Sequence, residues 1–213
     1  MGMGVPETEL CSGEAYALAE EGKLDEALRV MEAVRTDPNG KRYLYLGRLA
    51  TVYEMAGRYD LQIASLREAQ TLGSGGASEW IDLAMALVQR GRDVAGAKAA
   101  LAQARDKEMS EIVKAFFAWC EGIIACEERD FPKAKRELEA ALEITGKTGS
   151  HLMLGIEAVI RAYLCIACAG CGEGAEARRF WSACRGRLGA QREPELISRC
   201  RAALAALTTR SSA

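Results

Sequence analysis

One short phrase returns along the chain, and its period constrains the fold more than any other feature. The phrase is an alanine-rich apolar stretch, a turn carrying Gly or Asp, and then a second amphipathic stretch. Near the start it reads Ala17-Leu18-Ala19-Glu20-Glu21-Gly22-Lys23-Leu24-Asp25-Glu26-Ala27-Leu28. It returns as Tyr53-Glu54-Met55-Ala56-Gly57-Arg58-Tyr59-Asp60 and as Leu87-Val88-Gln89-Arg90-Gly91-Arg92-Asp93. A fourth copy, Glu128-Arg129-Asp130-Phe131-Pro132-Lys133-Ala134, has lost the glycine, and a fifth is Cys171-Gly172-Glu173-Gly174-Ala175-Glu176-Ala177. Self-similarity at a fixed interval marks a chain built by stacking copies of one supersecondary unit.

The turn glycines 22, 57 and 91 are spaced by 35 and 34 residues. This interval and the residues around it resemble the tetratricopeptide repeat, a helix–turn–helix unit of about 34 residues. The second repeat carries Leu46, Leu49, Ala50 and Tyr53, then Leu66 and Ala69; the third carries Trp80, Leu83, Ala84 and Leu87. The fourth supplies Gly122, Ala134, Leu138 and Ala141, and the fifth Ala177 and Trp181. Small residues let two helices cross closely, while the larger apolar ones fill the space between successive pairs. The resemblance implies an all-α fold, a right-handed alpha-alpha superhelix of about five helix–turn–helix repeats with a capping helix.

Departures from the pattern are specific. Gln62 stands where a small alanine is usual, and the third repeat has one extra residue between Gly91 and Ala97. Later spacings stretch to 37 residues from Ala97 to Ala134 and 43 from Ala134 to Ala177, so the fifth first helix, about 150–170, is long. The expected organisation is a flexible N-terminus over 1–7, a repeat domain over 8–190, and a cap with its tail over 191–213. Pro194 suits the first turn of that cap, and Leu196, Ile197, Cys200, Leu204 and Leu207 share one of its faces. Asp37-Pro38-Asn39-Gly40 and Gly73-Ser74-Gly75-Gly76 read as turns.

Composition agrees with helix. Apolar residues make up 49% and charged residues 27%, with four prolines in 213 residues. Ala, Leu, Glu and Arg lose little side-chain freedom in a helix. No apolar run approaches the ~18 residues a membrane span needs, and residues 1–8 lack the plan of a secretory signal. No membrane association is therefore expected. Seven of the eight cysteines crowd into the second half within helical patterns, which favours a reducing, cytoplasmic setting over a disulfide framework. Charge is uneven. Residues 1–36 hold eight acids against three bases, and residues 176–213 hold eight arginines against three acids. That asymmetry is compatible with an anionic partner, head-to-tail self-association or a plain solvated surface. Aromatic residues do not alternate with the arginines, so nucleic acid is not expected.

Motifs that carry chemistry fail one by one. Gly146-Lys147-Thr148 ends like a phosphate-binding loop, but Ala141 occupies the position of the earlier glycine and a helix runs into it; Gly146 reads instead as a helix C-cap. Cys165, Cys168 and Cys171 form a C-x-x-C-x-x-C run with Cys184 and Cys200 downstream. On a helix, offsets of three and six residues rotate by about 300° and 600°, so the thiols diverge. Cys165 and Cys184 also fall where the repeat buries a small side chain, which suits cysteine as a small hydrophobe. These three cysteines are the metal candidates, and packing is the competing reading. His151 is the single histidine and falls near a turn, leaving no partner for a catalytic base. No catalytic residue, metal or cofactor is expected.

In tetratricopeptide arrays the first helices of successive repeats line a concave groove. The positions that match it here are Tyr16 with Ser12; Leu44, with Thr51 and Glu54; Ile81, Met85 and Val88; Phe116, Trp119, Ile123 and Cys126; and Val159 and Ile166. From the third repeat onward this list is mostly apolar, which suits a partner helix or an extended hydrophobic segment. The competing reading packs the same side chains against neighbouring repeats or the chain's own last helix. The expected function is a non-catalytic scaffold or adaptor that holds a protein or peptide partner. The alternative is an oligomerisation or sensor domain with the cysteines as a redox or metal switch.

Overall fold

The computed structural model describes residues 7–35, 42–72, 76–148, 151–188 and 193–210. Among them the chain is all-α, with eleven helices and no strand. The first six are α1 (Glu7–Glu20), α2 (Leu24–Arg35), α3 (Arg42–Met55), α4 (Tyr59–Thr71), α5 (Ala77–Gln89) and α6 (Val94–Arg105). The remaining five are α7 (Glu111–Glu127), α8 (Phe131–Thr148), α9 (His151–Gly170), α10 (Gly174–Cys184) and α11 (Pro194–Arg210). Every turn read from the repeated phrase falls between two helices. Residues 1–6 and 36–41, with most of the turn at 73–76, lie outside the described residues.

Four of the five turns close in the same way. In each, an amide at the end of the turn bonds a carbonyl five residues back, and the amide before it bonds a carbonyl three back. The pairs are Lys23 N to Leu18 O at 2.9 Å with Gly22 N to Ala19 O, and Arg58 N to Tyr53 O at 2.8 Å with Gly57 N to Glu54 O. They recur as Asp130 N to Ala125 O at 2.9 Å with Arg129 N to Cys126 O, and Glu173 N to Cys168 O at 2.9 Å with Gly172 N to Ala169 O. This is the Schellman closure, which satisfies the last carbonyls of a helix and requires one residue of positive φ. Gly22, Gly57 and Gly172 supply it at 79°, 71° and 81°, and Arg129 takes it at 61°.

The third turn differs because it holds four residues, Arg90–Asp93, where the others hold three. Its positive φ moves from the glycine to Arg92, at 54°. Asp93 N reaches six residues back to Leu87 O at 3.0 Å, and the Asp93 carboxylate caps α6 by accepting from Gly96 N at 2.8 Å. The guanidinium of Arg90 lies 4.4 Å from the centre of the Tyr59 ring on α4.

Beyond four of the five turns the second helix presents a small side chain to the first. Ala27, Ala97, Ala134 and Ala177 have no exposed surface. The first helices answer with Ala19, Ala84 and Gly122, all buried. At Gly122 a Cβ would stand 2.5 Å from Leu138 Cγ, so α7 and α8 meet at a distance that excludes any side chain. Gln62 holds the corresponding place on α4; it is buried, and its Oε1 has no hydrogen-bond partner among the described residues.

The chain divides into two compact units, Met1–Lys107 and Glu108–Ala213. In the first, α1/α2, α3/α4 and α5/α6 are helix pairs; α3 packs on α1 and α2, and α5 on α4. Its early core gathers Ala15, Ala19, Ala27, Met31 and Val52. In the second, α7/α8 and α9/α10 are pairs, α9 packs on α8 and α7, and α11 lies against α9 and α10. α11 buries Leu196, Cys200 and Leu207, three of the residues read as its apolar face. Pro194 opens it, as expected. Gly146, read as a helix C-cap, instead lies inside α8, which runs on to Thr148.

The closure of these turns predicts opposite responses to paired substitutions. Gly172→Ala forces a Cβ into a left-handed residue and lowers unfolding free energy by about 1 kcal/mol. Arg129→Gly relieves the same strain in the fourth turn and raises it by a similar amount, about 1 kcal/mol. Urea denaturation midpoints of the two variants check this.

Candidate functional site

The residues expected to line a groove divide by burial. In the first unit Tyr16 on α1 and Met85 on α5 are half-buried and Leu44 on α3 is 46% exposed, while Ile81 and Val88 on α5 are buried. In the second unit Phe116 on α7 and Val159 on α9 are half-buried, while Trp119, Ile123 and Ile166 are buried. Ile81, Val88, Trp119, Ile123 and Ile166 therefore belong to the core and do not line an open face. The cause is the packing of α5, α7 and α9. α5 alone buries Ala77, Ile81, Leu83, Ala84, Ala86, Leu87 and Val88, so its apolar positions nearly circle the helix. A helix apolar on most sides is an interior helix. Trp119 stacks obliquely on Phe116, with ring centroids 6.0 Å apart, and its buried Nε1 has no hydrogen-bond partner among the described residues. The Ser12 side chain lies outside the described residues.

What remains open in the first unit is polar as well as apolar. The Tyr16 hydroxyl is hydrogen-bonded to Thr51, and partial burial raises its pKa against the opposing charge of Arg48. Thr51 in turn donates to the Gly47 carbonyl at 3.3 Å. On α5, Asp82 is open to solvent on one side, yet crowding protein atoms and the carboxylates of Glu54 and Glu79 push its pKa up to about 6. Like charges held together in a partly desolvated place resist ionisation. Because water reaches Asp82, the energetic weight of that shift is reduced by screening.

The cysteine run does not gather. Cys165 and Cys168 are buried and Cys171 is exposed. Burial pushes the Cys168 thiol up to about 12, with Glu173 adding to the effect and Lys135 opposing it. Cys165 instead meets Cys200 of α11, with Cys184 of α10 nearby. Among the described residues no group of three or more His, Cys, Asp or Glu is arranged to hold a metal ion. The sequence had no signal for the Cys165–Cys200 pairing, which depends on how α11 docks. His151 opens α9, and its side chain lies outside the described residues. Lys147 of the Gly146-Lys147-Thr148 run is tied to Glu143 at 2.8 Å on an unbroken helix.

One cavity of about 450 Å³ opens in the second unit between α8, α9 and α10. Leu142, Phe180 and Ala183 give it an apolar floor, and Glu139, Glu143, Arg161 and Arg179 form its rim. Each arginine already has a carboxylate. Arg161 meets Glu157 at 2.8 Å and Arg179 meets Glu176 at 2.6 Å, so both guanidinium groups of the rim are already paired. No helix among the described residues is long and apolar enough to cross a membrane. No known family and no curated protein matches the chain.

The setting of Asp82 predicts a pH-dependent penalty. Its carboxyl ionises near 3.8 when unfolded and at about 6 when folded, so ionisation disfavours the fold. The penalty is absent below about pH 4, grows as pH rises to about 6, and is constant above that. Asp82→Asn should therefore be more stable than the wild type at pH 7, with the gain shrinking by pH 4. Urea midpoints of both proteins at the two pH values check this; an equal gap at both would contradict it.

Proposed function

We propose that the chain is a tetratricopeptide-like repeat protein that binds a segment of another protein and performs no catalysis. In this reading the helix pairs of each compact unit stack with the right-handed superhelical sense of that repeat. The observation that carries it is the Schellman turn at four of the five turns, followed by a fully buried alanine at three of them, Ala27, Ala134 and Ala177, with Ala97 after the longer third turn. A turn reproduced with this fidelity serves to stack pairs, and stacked pairs leave one face of their first helices for a partner.

The burial pattern refines the character of that face. Its apolar part in the first unit is Tyr16, Leu44 and Met85, and its charged part is Glu54 and Asp82. Such a face suits an amphipathic segment whose apolar side chains rest on Leu44 and Met85 and whose basic side chain meets Asp82. The groove is thus less apolar than the sequence pattern suggests. The non-catalytic part of the reading is supported by the thiols of Cys126, Cys168 and Cys184, which burial raises to about 12, 12 and 11. Raised, enclosed thiols are poor nucleophiles.

A random peptide library displayed on phage and selected on the purified chain tests the proposal. Enriched peptides should combine large apolar residues with Lys or Arg, and Asp82→Lys or Met85→Asp should lose them while retaining helical circular dichroism. No enrichment, or enrichment that both variants preserve, would overturn it.

A further inference from the structure

Three thiols from three helices come together inside the second compact unit. Cys165 on α9, Cys184 on α10 and Cys200 on α11 have no exposed surface. The Cys200 sulfur lies 3.3 Å from the carbonyl oxygen of Ala162, one turn before Cys165 on the same helix. It also meets the Cys165 thiol. Cys184 directs its own sulfur to the Trp181 carbonyl of α10 at 3.6 Å. The close pair is therefore Cys165 with Cys200, and it joins α9 to α11. Cys168 faces Lys135, Glu139 and Glu173 and takes no part.

We propose that Cys165 and Cys200 are a redox-responsive pair that closes to a disulfide on reaction with a low-molecular-weight disulfide, fixing α11 to α9. The chemistry balances without any bound cofactor. The Cys165 thiolate attacks one sulfur of the oxidant, breaking its S–S bond and releasing one small thiol. The Cys200 thiolate then attacks the Cys165 sulfur of the mixed disulfide and releases the second small thiol. Two electrons pass from the protein to the oxidant, and the two protons lost by the cysteines end on the released thiols.

Access to these buried sulfurs requires α11 to open. It buries Leu196, Cys200 and Leu207, and its polar anchor is Arg199. That side chain pairs with Glu127 of α7 at 2.6 Å and lies 5.7 Å from the centre of the Tyr163 ring on α9. A helix with so short an apolar seam opens by local unfolding more readily than the pairs beneath it. Contact with Cys200 favours the Cys165 thiolate against the effect of burial, while Cys200 is held protonated, which suits Cys165 to the first attack. In the closed state the thiols are protected, so oxidation proceeds at the pace of α11 opening.

The test uses the full chain with Cys11 and Cys171 replaced by serine, incubated with oxidised glutathione, quenched by alkylation and mapped by tandem mass spectrometry. The expected result is the loss of two thiols per chain, a Cys165–Cys200 linkage, and a thermal midpoint that rises on oxidation and returns with reductant. Arg199→Ala should speed the loss of thiols, and Cys165→Ala should abolish it. Mapping in the otherwise unsubstituted background does not depend on how the variants fold. Full retention of thiols, a linkage through Cys184 or Cys168 in place of Cys200, or a persistent glutathione adduct would overturn the proposal.

Discussion

The architecture depends on how closely the first and second helix of each pair can approach just beyond the turn. Ala27, Ala97, Ala134 and Ala177 have no exposed surface, and at Gly122 even a methyl group would collide with Leu138. Interiors pack at near-crystalline density, so one extra carbon at such a contact must displace a helix. The turns serve the same end. By satisfying the last carbonyls of the first helix within three residues, they bring the second helix back before its small residue is needed. Gln62 is the exception among the five, and its buried Oε1 without a partner is the kind of local cost a stacked array tolerates when neighbouring pairs supply the burial.

Features set by adjacent residues were legible in advance. The turns, the all-α class, the extra residue in the third turn, the long fifth first helix and Pro194 at the start of α11 all follow from local spacing. Features set by neighbours in space were not. Ile81, Val88, Trp119, Ile123 and Ile166 occupy the register of a groove, yet they are buried, because helices pressed on more than one side carry more than one apolar stripe. A helical period identifies apolar positions without saying which neighbour covers them. The same limit hid the meeting of Cys165 with Cys200, which lie on helices separated by all of α10. Gly146 misled for a simpler reason: glycine in a late turn of a helix lowers its stability without ending it.

Separating core from face changes the chemistry available to a partner. Removing Ile81 and Val88 leaves Leu44, Met85, Glu54 and Asp82 among the accessible side chains of the first unit. The elevated pKa of Asp82 belongs with this, since a carboxylate crowded by Glu54 and Glu79 gains from a cation brought by a ligand. In the second unit the last helix covers part of α9, so the surface there is shaped by α11 as much as by the repeats. In the function proposed, stacking and recognition draw on different sides of the same first helices.

The turns are closed, repeated structural elements rather than loops between independent helices. Residue-resolved amide hydrogen exchange of the folded chain tests this most directly. The amides of Lys23, Arg58, Asp130 and Glu173, each bonded five residues back, should exchange far more slowly than an unstructured peptide. Exchange of all four at unprotected rates, with the helix interiors still protected, would contradict the account.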